Sequence, residues 1–237
     1  SLEVYVYRLY ENDTARYPTR NRRLVTPGIR LYRKPGPGLI DWDFEGVYQT
    51  GRVRASTAAA AADNLSVSAY FVHAELGRTF RGPWSPRVAL QYDRASGDKG
   101  NPNTYNRFDT LFGARRGEYG PTSLYGAVQR ANLSSPGVRL SARPTPRLDG
   151  FVAYRALWRV TDADSFASTG ITERSGDSGK FAGHQVEASA RYWLLPKIVR
   201  LELGAAYLFK ADFLRHAPNA PDDGDTAYGY VDLTFAF

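Results

Sequence analysis

The stretch TAYGYVDLTFAF, Thr226 to Phe237, sorts its even and odd positions into two opposite chemistries and stops on an aromatic ring. Ala227, Gly229, Val231, Leu233, Phe235 and Phe237 form one set, and Tyr228, Tyr230, Asp232 and Thr234 the other. Successive side chains of a strand point to opposite faces, so this is a strand with one apolar and one polar face. Two kinds of barrel use such strands. In a soluble calyx the apolar face points in and the polar face meets bulk water. In a membrane barrel the apolar face meets lipid and the polar face lines a hydrated lumen. Which face is inside decides what the protein does.

The same period of two runs through the chain, and a helical period is hard to find. It predicts about ten strands, at 2–10, 23–33, 39–52, 65–78, 86–96, 131–143, 148–160, 184–195, 199–212 and 226–237. Their connections alternate in length. KPGPG at 34–38, GPWSP at 82–86, PTP at 144–146 and LPKI at 195–198 are tight turns. The others are long and polar, above all the segment 97–130 and TDADSFASTGITERSGDSGKFAG after the seventh strand. The alanine run Ala58–Ala62 reads as one of these loops. Short turns at one end and long loops at the other are the pattern of an outer-membrane up-and-down barrel.

The faces separate in the same way elsewhere. Leu201, Leu203, Ala205, Tyr207 and Phe209 oppose Arg200, Glu202, Gly204 and Lys210. Ile40, Trp42, Phe44 and Tyr48 oppose Asp41, Asp43, Glu45 and Gln49. Charges on one face suit a wet lumen, because an unpaired charge in a dry core costs several kcal/mol. Three features choose the membrane barrel over the calyx. Most strands reach the roughly 9–11 residues that span a bilayer, aromatics cluster at strand ends as interfacial girdles require, and the loops are asymmetric. The expected fold is therefore all-β, a transmembrane antiparallel up-and-down β-barrel of about ten strands. It forms one domain over 1–237, with 97–130 as a long constriction or extracellular loop, in a bacterial outer membrane.

Composition fits this fold. The 237 residues include 16 Tyr and 22 Gly, favouring strands and turns, and no Cys, so neither disulfides nor a thiolate metal site exist. Met is absent as well, and the opening SLEVYVY reads as a processed or truncated product whose signal peptide has gone. A net charge of +7 suits an anionic partner.

Catalytic signals are weak. His73 shares a face with Glu75, and Ser66 and Ser68 lie in the same strand, but that spacing alone does not make a hydrolase. No phosphate-binding glycine motif occurs, and the acidic loop tips are expected to be solvated, so no cofactor, metal or enzymatic step is expected. Arginines are the stronger signal. Arg30, Arg139, Arg155, Arg159 and Arg191 fall on the predicted lumen face, balanced by acids including Asp41, Asp43, Glu187 and Glu202. Such a lumen is either an ordinary one, with charges paired across strands, or a positive constriction that admits an anion. The segment 106–130 adds Arg107, Arg115, Arg116 and Arg130 interleaved with Phe108, Phe112, Tyr119 and Tyr125, and is expected to fold into the lumen or over its mouth. Nucleic acid is not an expected partner.

RFDTLFGARRGEYGPTSLYG, WRVTDADSFASTGI, GHQVEASARYW and the terminal YGYVDLTFAF resemble the alginate-export outer-membrane porins, from about residue 24 to the end. The resemblance implies an arginine-rich constriction that passes a polyuronate, with Arg30, Arg107, Arg115, Arg116, Arg139, Arg155 and Arg159 the first places to look for it. Members of that family are eighteen-stranded, so this chain would correspond to their C-terminal part. The expected function is passive passage of an anionic saccharide or related carboxylate. Alternatives are a general or small-carboxylate porin, an outer-membrane lipid hydrolase, and a structural barrel plugged by its own ion pairs. Expected partners are membrane lipid, lipopolysaccharide, the saccharide, periplasmic export components and the barrel-assembly machinery, for which Phe237 would be the terminal signal.

Overall fold

The computed structural model describes residues 1–12, 14, 16–58, 64–111, 119 and 125–236. Arg115, Arg116, Phe112, Phe237 and residues 59–62 of the alanine run lie outside the described residues. Within them the chain is all-β. β1 (Leu2–Tyr10), β2 (Arg23–Arg33), β3 (Ile40–Arg54), β4 (Asn64–Thr79) and β5 (Arg87–Ala95) run up and down in order. The two-residue β6 (Thr104–Tyr105) adds to β4 in parallel. β7 (Leu133–Thr145), β8 (Leu148–Trp158), β9 (Phe181–Leu195), β10 (Val199–Lys210) and β11 (Thr226–Phe235) complete the meander. Each long strand pairs antiparallel with the next, and β1 and β11 end the order without pairing to each other among the described residues.

The strands predicted from alternation agree to within three residues, the largest difference being β9, which starts at Phe181 rather than 184. Alternation did not foresee β6 or the helix α1 (Asp212–His216). Five residues are too few to show a helical period. What holds α1 is Phe213 and Leu214, 0% and 2% exposed, which it presses onto the sheet.

Register turns the alternation into belts. Trp42, Leu76, Leu90, Val138, Tyr154, Val186, Tyr207 and Ala227 stand opposite one another from β3 to β11, an unbroken apolar row. One residue along, the same pairing gives Asp43, Glu75, Gln91, Gly137, Arg155 and Gln185 on the other face. The apolar row is the exposed one, with Leu76 at 50% and Leu90 at 62%. The polar row is the covered one, with Arg155 at 3% and Gln185 at 1%. A globular core would reverse this. Soluble proteins rarely leave so long an apolar belt uncovered.

The sheet curls around its polar face. The Tyr119 ring lies 5.2 Å from the Arg155 guanidinium of β8 and also lines a cavity with Tyr5 of β1. Laid flat, six strand spacings of about 4.8 Å would hold β1 and β8 almost 30 Å apart. Only a curved wall lets one ring reach both.

The inner face divides into two zones. Toward the short turns it is charged. Toward the long loops the inward positions turn apolar: Leu24, Val53, Val67, Ala69 and Phe71 receive Phe108. Leu133, Leu157, Ala182 and Leu208 receive Tyr119, Val128, Phe166, Ile171 and α1. The expectation of a polar, hydrated inner face thus holds for the turn-side half alone. Where loops fold back onto the wall there is no water to solvate a charge, and apolar side chains take the same parity.

Candidate functional site

Three ion clusters are fixed to the inner wall by the register of the strands. On β2 and β3, Arg30 donates to Asp43 at 2.8 Å and lies 3.7 Å from Glu3. On β3 to β5, Arg87 bridges Asp41 and Glu75, the latter at 2.5 Å. On β5 and β8, Arg155 donates to Asp93 at 2.9 Å and to Gln91 at 2.8 Å, while His73 Nδ1 meets Asp93 at 2.6 Å.

The last two clusters cross an intervening strand, and a glycine makes room for each. Gly77 of β4 lies between Asp41 and Arg87; a Cβ there would fall 2.6 Å from the Asp41 carboxylate. Gly137 of β7 lies under the Arg155 side chain; a Cβ there would fall 3.0 Å from its Cγ and 2.8 Å from the Tyr154 carbonyl. Tyr5 crosses Gly28 in the same way to reach Glu45, and Tyr230 packs over Gly204 and donates to Glu202 at 2.6 Å. Gly28, Gly77 and Gly137 thus let a side chain reach the second neighbouring strand, while Gly204 makes room for a contact between adjacent strands.

The remaining predicted lining residues have varied surroundings. Arg139 lies half-buried with its guanidinium 3.4 Å from the Phe151 ring centroid. Arg191 pairs with Asp149 at 2.7 Å and stays exposed. Glu187 is 5% exposed on β9. Arg107 and Arg159 do not face open space: both clamp loops. Arg107 donates to Asp164 at 2.7 Å and to the Ser165 carbonyl at 3.0 Å. Arg159, 1% exposed, donates to the Gly179 carbonyl and pairs with Asp162 and Glu173 at 3.2 and 3.3 Å. Its parity is that of the lumen face, but β8 ends at Trp158.

Sequence reasoning passed over Asn132. Wholly buried, it accepts from the backbone of Val160 and Thr161 at 2.9 Å and donates to the Thr161 and Asp164 carbonyls at 3.0 Å. Asn132 thereby ties the entry to β7 to the loop after β8, to which the segment 97–130 is itself tied through Arg107 and the Asp98 N–H, both on Asp164. The segment's other anchors are Asp109, on Arg22 at 2.6 Å and Gln49 at 3.1 Å, and Tyr125, which donates to Gln185 at 2.8 Å. Gln185 in turn donates to the Tyr119 carbonyl at 2.6 Å. Burial raises the pKa of the Tyr125 phenol, keeping it a donor. Ser66 and Ser68 have outward parity and His73 inward, so the serine–histidine pairing a hydrolase needs is not assembled there.

Between segment 106–130 and β1–β4 lies a cavity of about 660 Å³. Tyr5, Tyr7, Phe71, Phe108 and Tyr119 give it aromatic surfaces, and Arg8, Arg30 and Arg130 its cationic groups, against Glu3, Glu45 and Asp109. The Arg130 guanidinium sits 4.3 Å from the Phe71 ring.

Glu173 provides a pH test of the loop after β8. The Ser175 hydroxyl and the backbone N–H groups of Ser178 and Gly176 lower its pKa to about 2. A depressed carboxylate stabilises the fold above its unfolded pKa of about 4.3, and loses that contribution as pH falls toward the folded value. Amide exchange across 160–179, corrected for intrinsic rates, is expected to speed up progressively from pH 4.5 to 2. Glu173→Gln should flatten that profile; an unchanged profile would contradict the assignment.

Residues 1–225 match the protein family described as alginate export. The match takes in β1, which precedes the resemblance seen in the sequence, and ends before β11, whose YGYVDLTFAF carried part of it. No curated protein matches the chain.

Proposed function

This chain belongs to the alginate export family, and from that membership we propose that it forms an outer-membrane channel through which an anionic saccharide, an alginate-like polyuronate, diffuses without any chemical step. The observation that carries this proposal is the loop-built cavity in which Arg130 and Arg30 stand among five aromatic rings. Sugar faces stack on aromatic side chains, and guanidinium forks match carboxylates through paired hydrogen bonds. The neighbouring Glu3 and Glu45 limit how tightly a polyanion is held, and a site that binds too well does not conduct. The exposed apolar belt supports a lipid surrounding, with lipopolysaccharide outside and the assembly and export machinery within the periplasm as further partners.

The test is planar-bilayer recording with oligouronates added to one side. Oligouronates are expected to block the current at lower concentration than neutral oligosaccharides of equal length, and Arg130→Ala to weaken that block about tenfold, the worth of one charge-assisted hydrogen bond. Equal block by neutral and acidic sugars would overturn anion recognition, and absence of conductance would overturn the channel.

A further inference from the structure

Resting on the membrane location proposed above, we propose that Arg23 and Arg52 together bind the phosphate of a lipid headgroup on the outer wall, at its long-loop end. The register of β2 and β3 sets these two arginines directly opposite each other. Both are exposed, while their chain neighbours Leu24 and Val53 are 2% exposed on the inner face. Directly opposed side chains have Cβ atoms about 4.5–5.5 Å apart, and like charges so placed repel. Three inner-wall arginines have carboxylates: Asp43 for Arg30, Asp41 for Arg87 and Asp93 for Arg155. Arg23 has instead the Tyr10 ring, 4.8 Å from its guanidinium, and Arg52 faces Ser66. Among the described residues no ion pair involves either one.

Arg8, Arg33, Arg78 and Arg94 share this outward parity but stand opposite Val25, Trp42, Ile40 and Val72, none of them a cation. A directly opposed pair of cations makes sense if an anion lies between them. Its depth identifies the source. Below the pair, Val25, Ile29 and Leu31 of β2 are 39%, 53% and 48% exposed, part of the belt that meets acyl chains. Arg23 is two residues beyond Val25, about 7 Å along the strand. The pair therefore stands where an acyl region gives way to headgroups. A phosphate carried by a lipid is held at that depth by its own chains, whereas a free phosphate is not. Two guanidinium forks meet its oxygens, with the Ser66 and Tyr10 hydroxyls on the same row.

The test uses the full chain in detergent, titrated with lipid A bearing both phosphates, with dephosphorylated lipid A, and with inorganic phosphate. Bound lipid is counted by native mass spectrometry, and thermal unfolding is followed in parallel. Phosphorylated lipid A is expected to bind, and Arg23→Gln with Arg52→Gln to weaken it at least tenfold, the two charge-assisted contacts being lost. Arg78→Gln removes the same single charge from an outer position opposite Ile40 and Val88, and should leave binding unchanged. The sign of the stability change adds a second criterion. Without lipid, Arg52→Gln should unfold at a higher temperature than the wild type, since a repulsion is gone; with phosphorylated lipid A it should unfold at a lower one. Loss of binding in Arg78→Gln equal to that in the pair, identical binding of dephosphorylated lipid, or equal stabilisation by inorganic phosphate each overturns the proposal. Flotation of the wild type with vesicles separates the two levels. If it does not float, the membrane location fails; if it floats but binds lipid A regardless of Arg23 and Arg52, this inference alone fails.

Discussion

Arg155→Met is expected to lower the unfolding free energy by about 3–5 kcal/mol, the usual cost of breaking a buried ion pair from one side. Arg155 is 3% exposed and supplies both the 2.9 Å bond to Asp93 and the 2.8 Å bond to Gln91. Methionine fills much of the same volume but leaves Asp93, itself 2% exposed, with His73 alone. Because the side chain joins β8 to β5 across β7, the loss should appear in global unfolding, measured by denaturant titration in detergent or vesicles. Adding Asp93→Asn to the methionine variant should return a large part of the stability, since the stranded charge is then gone. Gly137→Ala should act in the same direction without touching a charge, because its Cβ would fall 2.8 Å from the Tyr154 carbonyl and 3.0 Å from the Arg155 Cγ. A loss below about 1 kcal/mol for Arg155→Met would place this cluster among exposed pairs of little energetic weight.

Arg159→Met should carry a comparable cost but a different signature. The guanidinium donates to the Gly179 carbonyl at 2.8 Å, pairs with Glu173 at 3.3 Å, and lies 4.2 Å from the Phe213 ring. One side chain thus joins the end of β8, the loop after it and α1. Removing it leaves the Glu173 carboxylate, 6% exposed, without its cation. The expected outcome is exchange of amides in 160–180 and 212–216 at least a hundredfold faster, about 2.7 kcal/mol or more by mass action, with the charged half of the wall protected as before. If Arg159 lined an open passage instead, amide protection would not change and ion selectivity would.

The strands and their outward faces were legible in the sequence because a period of two is a local property. Leu201, Leu203 and Ala205 identify an apolar face without reference to any neighbour. The candidate site was legible only in part. Arg30, Arg139, Arg155 and Arg191 were recognisable as inward by parity, and the ring-rich segment 106–130 as unlike a solvated loop. Their partners were not, because pairing follows register. Nothing in SPGVRL marks Gly137 as the gap through which Arg155, on the neighbouring strand, reaches Asp93 two spacings of about 4.8 Å away. Likewise nothing in QRANLSS marks Asn132 as the tie between two loops. Arg159 shows the limit of parity, which ceases to assign a face once the strand has ended.

The sequence by itself therefore determined the class of wall: antiparallel strands with an apolar belt on one side, since alternation and strand length are written residue by residue. The tertiary structure decided what the inner side is. Loops folding back divide it into a dry half and a charged half, and glycines at three crossings let side chains span from one strand to the next but one. Which charges pair with one another depends on groups distant in the chain and adjacent in space. TAYGYVDLTFAF shows both levels. Its alternation sets Val231 and Leu233 outward, and only its pairing with β10 carries Tyr230 over Gly204 to Glu202.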